Sequence, residues 1–284
     1  MNVGVAIGNL GFAMREPMEP AAHADLCCEV AVRVERLGFH SVWVGDHLTL
    51  PRNARTHYPY GDGGFLNPDC SLLDPFAIHA AVARITKRVG LGFGVVVLPY
   101  RGPVVTAKLI ATIDALSCGR VILGIGAGWL PEEFEALGVD FATRAQATDS
   151  GLRYLLEVFE TGDAAGMTVL PRTVQRPHPP VWVGGMGATA MRRAVEFADG
   201  WDAPYAEPDR LAQALERLGG LCVDGGRDPS SLGVAVRGIA ADRLDDHLIA
   251  TYASLGVTDL GVTLPLGDPP KAFDQLDQLA DRFG

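Results

Sequence analysis

Three places in this sequence set chemically useful residues side by side. The first is Asp46-His47, directly after the apolar run Ser41-Val-Trp-Val-Gly45. A histidine titrates near neutral pH and can donate or accept a proton, and an adjacent carboxylate can fix its ring. The same pair also reads as a structural histidine bonded at a strand end. The second place is Val121-Ile-Leu-Gly-Ile-Gly-Ala-Gly-Trp-Leu-Pro-Glu-Glu-Phe134, where Gly124, Gly126 and Gly128 alternate ahead of Trp129 and an acidic helix start. Backbone without a Cβ can approach a flat ligand closely. Gly126, Gly128 and Trp129 therefore read as a cofactor platform, or else as a tight strand-to-helix turn. The third place is Val181-Trp-Val-Gly-Gly-Met-Gly-Ala-Thr189. Here the N–H groups of Gly185, Met186 and Gly187, next to Gly184 and with the Thr189 hydroxyl, are placed to hold a phosphate at the positive end of a helix. An ordinary strand-to-helix turn has the same composition.

The elements that must position these residues follow from hydrophobic periodicity. Strands are predicted over 3–8, 41–45, 89–98, 121–126, 180–184, 200–203, 232–237 and 259–264. Helices are predicted over 20–37, 74–86, 103–117, 146–161, 188–198, 207–222, 242–255 and 269–282. In the first helix Leu26, Val30, Val34 and Leu37 fall on one face, as expected of a helix covering a sheet. Strand-then-helix units repeated end to end with no linker-like tract predict a (β/α)8 TIM barrel, a single domain spanning 1–284. A doubly wound dinucleotide fold would place a G-x-G-x-x-G after the first strand, and Gly8-Asn-Leu-Gly11 does not fit it. In a barrel, chemistry gathers on the loops after the strands. The long one, 45–73, carries Tyr58-Pro-Tyr-Gly61 and Gly63-Gly64 and is placed to cover a pocket mouth. Trp129, Trp201, Tyr58, Tyr60 and Phe65 predict an apolar pocket, although core packing explains any one of them equally well.

Composition narrows the function classes. A formal net charge of −10, with Lys and Arg nowhere clustered, argues against nucleic-acid or anionic-membrane partners. The five cysteines form no CxxC pair and predict neither a disulfide framework nor a metal site. The start reads as a strand and no run reaches membrane-spanning length, so a soluble, cytoplasmic protein with a small-molecule substrate is expected. There is no HExxH, G-x-S-x-G or P-loop. The remaining histidines read as structural or surface residues. Leu91-Gly-Phe-Gly-Val95 places paired glycines in a strand, which predicts a bulge or a close approach.

Over nearly its whole length the chain resembles the luciferase-like monooxygenase superfamily, and in particular its oxidoreductases dependent on the deazaflavin coenzyme F420. The resemblance rests on Gly38-Phe-His-Ser-Val-Trp-Val-Gly-Asp-His47, Val95-Val-Val-Leu-Pro-Tyr-Arg101, Leu116-Ser-Cys-Gly-Arg120, Leu123–Trp129 with Glu133-Phe-Glu-Ala-Leu-Gly138, and Gln175–Gly185. It implies a ring lying over a third-strand bulge with a cis peptide at Gly94–Val95. It also implies a phosphate site after the fifth strand, Asp46-His47 facing the ring, and a homodimer. The implied activity is hydride transfer between F420 and a small organic substrate with a C=C, C=N or C=O bond. The alternatives are an FMN-dependent monooxygenase using oxygen and a non-catalytic flavin-binding protein. The chain departs from the sugar-phosphate and alcohol dehydrogenase branch in having Trp129 where an acidic residue acts. Its segment between Thr161 and Pro177 is shorter than the usual hairpin-containing insertion.

Overall fold

The computed structural model describes residues 1–8, 17–59 and 67–283. Strands β1 (Asn2–Gly8), β2 (Ser41–Val44), β3 (Gly90–Val97), β4 (Val121–Gly126), β7 (Val181–Gly184), β8 (Gly200–Pro204), β9 (Gly233–Ala240) and β10 (Asp259–Thr263) are parallel and close into a barrel. Helices α1 (Pro20–Arg36), α2 (Pro75–Ile85), α3 (Leu98–Ser117), α5 (Arg144–Thr161), α6 (Ala188–Phe197), α7 (Pro208–Asp224), α8 (Asp246–Ser254) and α9 (Pro269–Phe283) alternate with them. This is the expected (β/α)8 barrel.

Local chemistry sets several boundaries. Glu19 and Asp74 accept the first free amides of α1 and α2, and each is followed by a proline, a residue suited to the first helical position. On α1, Leu26, Val30 and Val34 are buried as their spacing requires. α3 begins at Leu98, earlier than the expected 103, because Gly102 takes φ 70° and joins a short helical turn to the main helix ahead of Pro103. The acidic helix start read after Trp129 is the short helix α4 (Pro131–Leu137). The antiparallel hairpin of β5 (Asp163–Ala164) and β6 (Met167–Thr168), between Thr161 and Pro177, was not anticipated.

Two tryptophans on the strands, Trp43 and Trp182, occupy space that glycines of the neighbouring strands leave. A Cβ on Gly4 or Gly92 would stand 2.3 Å or 2.4 Å from the Trp43 ring, so the strands on either side of β2 accept Trp43 only as glycine. His79 on α2 is fully buried and its Nε2 contacts the Gly92 carbonyl at 2.9 Å; burial lowers its pKa to about 4.

Candidate active site

A cavity of about 440 Å³ opens at the C-terminal ends of the strands, where barrel chemistry is expected. It is lined by Asp46, His47, Gly94, Val95, Gly126, Gly128, Trp129, Gly184, Gly185, Gly187 and Thr189, which sequence reasoning had singled out. Met186 is not among the lining residues; its side chain is buried in the core.

His47 is held differently from expectation. Its Nδ1 lies 2.8 Å from Oε2 of Glu133 on α4. Glu133 is fully buried and also accepts the Leu48 and Thr49 amides at 2.6 Å and 3.1 Å and the Tyr100 hydroxyl at 2.8 Å. Burial pushes the Glu133 carboxyl up, but the bonds from His47, Leu48 and Tyr100 outweigh it and hold the group below the usual glutamate range. An ionised Glu133 calls for the proton on Nδ1 of His47, which leaves Nε2 as the nitrogen available to exchange a proton with a bound molecule.

Asp46 was expected to orient His47, and it does not. Its carboxylate accepts two bonds from Arg101 Nη1, at 2.9 Å and 2.7 Å, and one from the Val97 amide at 3.0 Å. Arg101 then reaches Asp74 at the start of α2 at 2.7 Å. Burial raises the Asp46 carboxyl although Arg101 pulls it down. Asp46 thus ties β2, β3 and α2 together beneath His47.

The glycines of β4 serve the protein before any ligand. β3 shifts register against β4 between Phe93 and Val96, and the Gly94–Val95 bond is cis. A Cβ on Gly124 would lie 2.0 Å from the Phe93 carbonyl, and one on Gly126 would lie 2.5 Å from Val95 Cγ2. The space that glycine leaves is filled by the bulge, which pushes Val95 into the cavity. Gly128, at φ 82°, turns the chain so that Trp129 meets His47 edge-on at 5.9 Å and Tyr58 at 5.1 Å. Tyr58 continues to Tyr205 at 5.9 Å, so an aromatic wall crosses the mouth. Trp201 is not part of it: this ring is buried and donates to the Gly185 carbonyl at 2.8 Å. Tyr60 and Phe65 lie outside the described residues.

The turn after β7 matches its expected role in part. The Gly185 amide is taken, since it donates to the Asp202 carbonyl at 3.0 Å. The first turn of α6 has no side-chain cap, and Gly187 and Thr189 line the cavity beside Arg144 and Arg193. Arg193 is held by Asp149 at 2.5 Å. Uncapped amides and two guanidinium groups suit an anionic group of a ligand.

Sequence reasoning missed Glu133, Tyr100, Arg101, Trp43, Asp202, Tyr205 and Arg237 as parts of the site or its support. For Glu133 the available signal was a carboxylate directly before Phe134 in the acidic first turn of α4. Among the described residues no helix is long and apolar enough to cross a membrane.

A sequence model of the luciferase-like monooxygenase family matches residues 1–253. The chain is 30% identical over 246 residues to a phthiodiolone/phenolphthiodiolone dimycocerosates ketoreductase of Mycobacterium bovis, covering 80% of this chain and 64% of that one. Among solved structures, an F420-dependent secondary alcohol dehydrogenase in complex with an F420–acetone adduct superposes with a TM-score of 0.73 at 16% identity, covering 99% of this chain and 97% of the other. The FMN-bound oxygenating constituent of 3,6-diketocamphane monooxygenase from Pseudomonas putida, a type II Baeyer–Villiger enzyme, superposes with a TM-score of 0.75 at 16% identity and the same coverage. At that identity the two structures speak for the fold alone. The match along most of the sequence places this chain in the luciferase-like monooxygenase family.

Proposed function

We propose that the protein is an F420-dependent oxidoreductase that moves a hydride between the deazaflavin and a small organic substrate bearing a C=C, C=N or C=O bond. The observation that carries this reading is His47. Its Nδ1 is committed to a buried carboxylate and its ring faces the cavity, as an acid or base beside a hydride transfer requires. Val95, raised by the β3 bulge, with Gly94, Gly126, Gly128 and Trp129, would hold the ring system. The uncapped start of α6 at Gly187, the Thr189 hydroxyl, Arg144 and Arg193 would hold its phosphate. The cofactor supplies the hydride chemistry when bound. His47 gives or takes the accompanying proton through Nε2, and Glu133 keeps the ring turned for that exchange. The ketoreductase among the relatives and the alcohol dehydrogenase among the structural neighbours are in keeping with hydride transfer to or from a carbonyl carbon.

The test is to load the protein with F420 and FMN side by side. Retained ligand is read by absorbance and mass, and turnover is then followed with an oxygen electrode. Retention of F420 and substrate reduction without oxygen uptake is the expected result. Oxygen uptake with reduced FMN, and no turnover with reduced F420, would make the protein a monooxygenase instead.

A further inference from the structure

Deep in the cavity, away from His47, stands a charged pair that the proposed reaction does not use. Asp202 on β8 and Arg237 on β9 both line the cavity, and they are 5% and 8% exposed. Arg237 Nε donates to Asp202 Oδ2 at 3.0 Å. The side-on fork that would complete this pair is open: Arg237 Nη2 and Asp202 Oδ1 are both buried and neither has a hydrogen-bond partner. A buried ion pair gains little stability over apolar side chains of the same size, and leaving part of it unsatisfied costs more. The surroundings are nevertheless shaped for it. The guanidinium lies over the Trp43 ring, 3.3 Å from its centroid, and a Cβ on Gly261 would stand 2.7 Å from Arg237 Cγ. The barrel gives up side-chain volume on β10 to place an arginine here.

An unpaired donor next to an unpaired acceptor defines the group it fits. A carboxylate would set its charge against Asp202, and a lone carbonyl would leave Asp202 Oδ1 without a partner. A cis-amide edge, with C=O and N–H side by side, satisfies both atoms at once. We propose that the Asp202–Arg237 pair is an amide-recognition site on the cavity floor, with Arg237 Nη2 donating to a carbonyl oxygen and Asp202 Oδ1 accepting from the neighbouring N–H. Two molecules could bring such an edge: a lactam- or imide-type substrate, or the pyrimidinedione ring of a flavin-type cofactor. The substrate is the better fit to the strand order. β9 lies across the barrel from β3, with three strands between them in either direction, and so faces the open side of any ring resting on the β3 bulge. In that arm the inference rests on the proposed function and names its substrate class.

The test compares 2-piperidone with N-methyl-2-piperidone, and lumiflavin with 3-methyllumiflavin, as ligands of the full chain. Binding is read by ligand-observed NMR and by tryptophan fluorescence, before and after cofactor loading. Methylation replaces the N–H with a methyl group and keeps the carbonyl; δ-valerolactone, which lacks the N–H without the added bulk, should lose affinity likewise and separates the missing bond from crowding. The expected result is about a tenfold or greater loss on methylation, the size of one hydrogen bond to a charged group. That loss should vanish in an Asp202→Leu/Arg237→Met double variant, whose apolar side chains keep the volume filled and whose folding is checked by circular dichroism. Discrimination between the piperidones that survives cofactor loading assigns the edge to the substrate. Discrimination between the lumiflavins, with displacement of 2-piperidone, assigns it to the cofactor. Equal affinities within both pairs, no binding of any probe up to its solubility, or discrimination persisting in the double variant would each overturn the proposal. The loading assay with F420 and FMN is read separately, so a wrong cofactor assignment and a wrong amide site give different results.

Discussion

His47 and Glu133 touch each other, but they answer to different measurements. Replacing His47 with Ala should lower the rate of the chemical step by ~10²–10⁴ while cofactor affinity changes little, as stopped-flow and equilibrium titration would show. A variant that keeps its rate but loses stability would make the histidine structural. Glu133 works by positioning and by ionisation. Its carboxyl is held below the ordinary value in the folded protein, so it stabilises the fold fully above the unfolded pKa of about 4.3. That contribution fades as the pH falls through the lower folded value. Urea unfolding across the acid range should therefore show a flatter acid limb for Glu133→Gln than for the wild type, and identical limbs would disprove the ionised state. Asp46-His47 was legible because the two residues adjoin in sequence after a strand. Glu133 was not, because it lies 86 positions from His47 and an acidic first turn also reads as ordinary compensation of the helix dipole.

At the scale of elements, the alternation of strand and helix was legible throughout, since each strand is an apolar run and each helix carries one apolar face. What escaped were features too short for periodicity, namely the extent of α4, of which only the acidic start was legible, the β5–β6 hairpin, and the helical turn at Leu98 that Gly102 joins to α3. The glycines were found for a reason that proved incomplete: two of them make room for a neighbouring strand. Gly124→Ala should accordingly cost several kcal/mol or abolish folding, because the new methyl meets a backbone carbonyl with no means of yielding. A thermal melt within a few degrees of the wild type would refute this. Gly187 is the opposite case, with φ −82° and nothing within 4 Å of a built Cβ. Gly187→Asp should cap α6 and keep or slightly raise the melting temperature. Its carboxylate should at the same time weaken cofactor binding about tenfold or more by repelling the phosphate. Unchanged affinity would remove the phosphate site from this turn.

For the whole molecule, the decisive contact is the one that closes the barrel. β1 pairs with β10 from Asn2↔Asp259 to Val5↔Val262, so the first strand has its partner only when the last one is in place. We expect one cooperative unfolding transition, with tryptophan fluorescence and far-UV circular dichroism coinciding along a urea titration. Trp43, Trp182 and Trp201 report from strands and Trp129 from the cavity, so separated transitions would mean that part of the barrel stands without the rest. The loop after β2 has a consequence of another kind. Adjacent glutamates of α4 fasten it at several points: Glu133 takes the amides of Leu48 and Thr49, while Glu132 takes the Arg55 amide at 2.7 Å and the Thr56 hydroxyl at 3.2 Å. The segment beside His47 is thereby moored to α4 as far as Thr56, and Tyr58 just beyond it packs against Trp129 and Tyr205. One short helix is thus the anchor for both His47 and the approach to the aromatic wall, so a substitution that displaces α4 should disturb the two together.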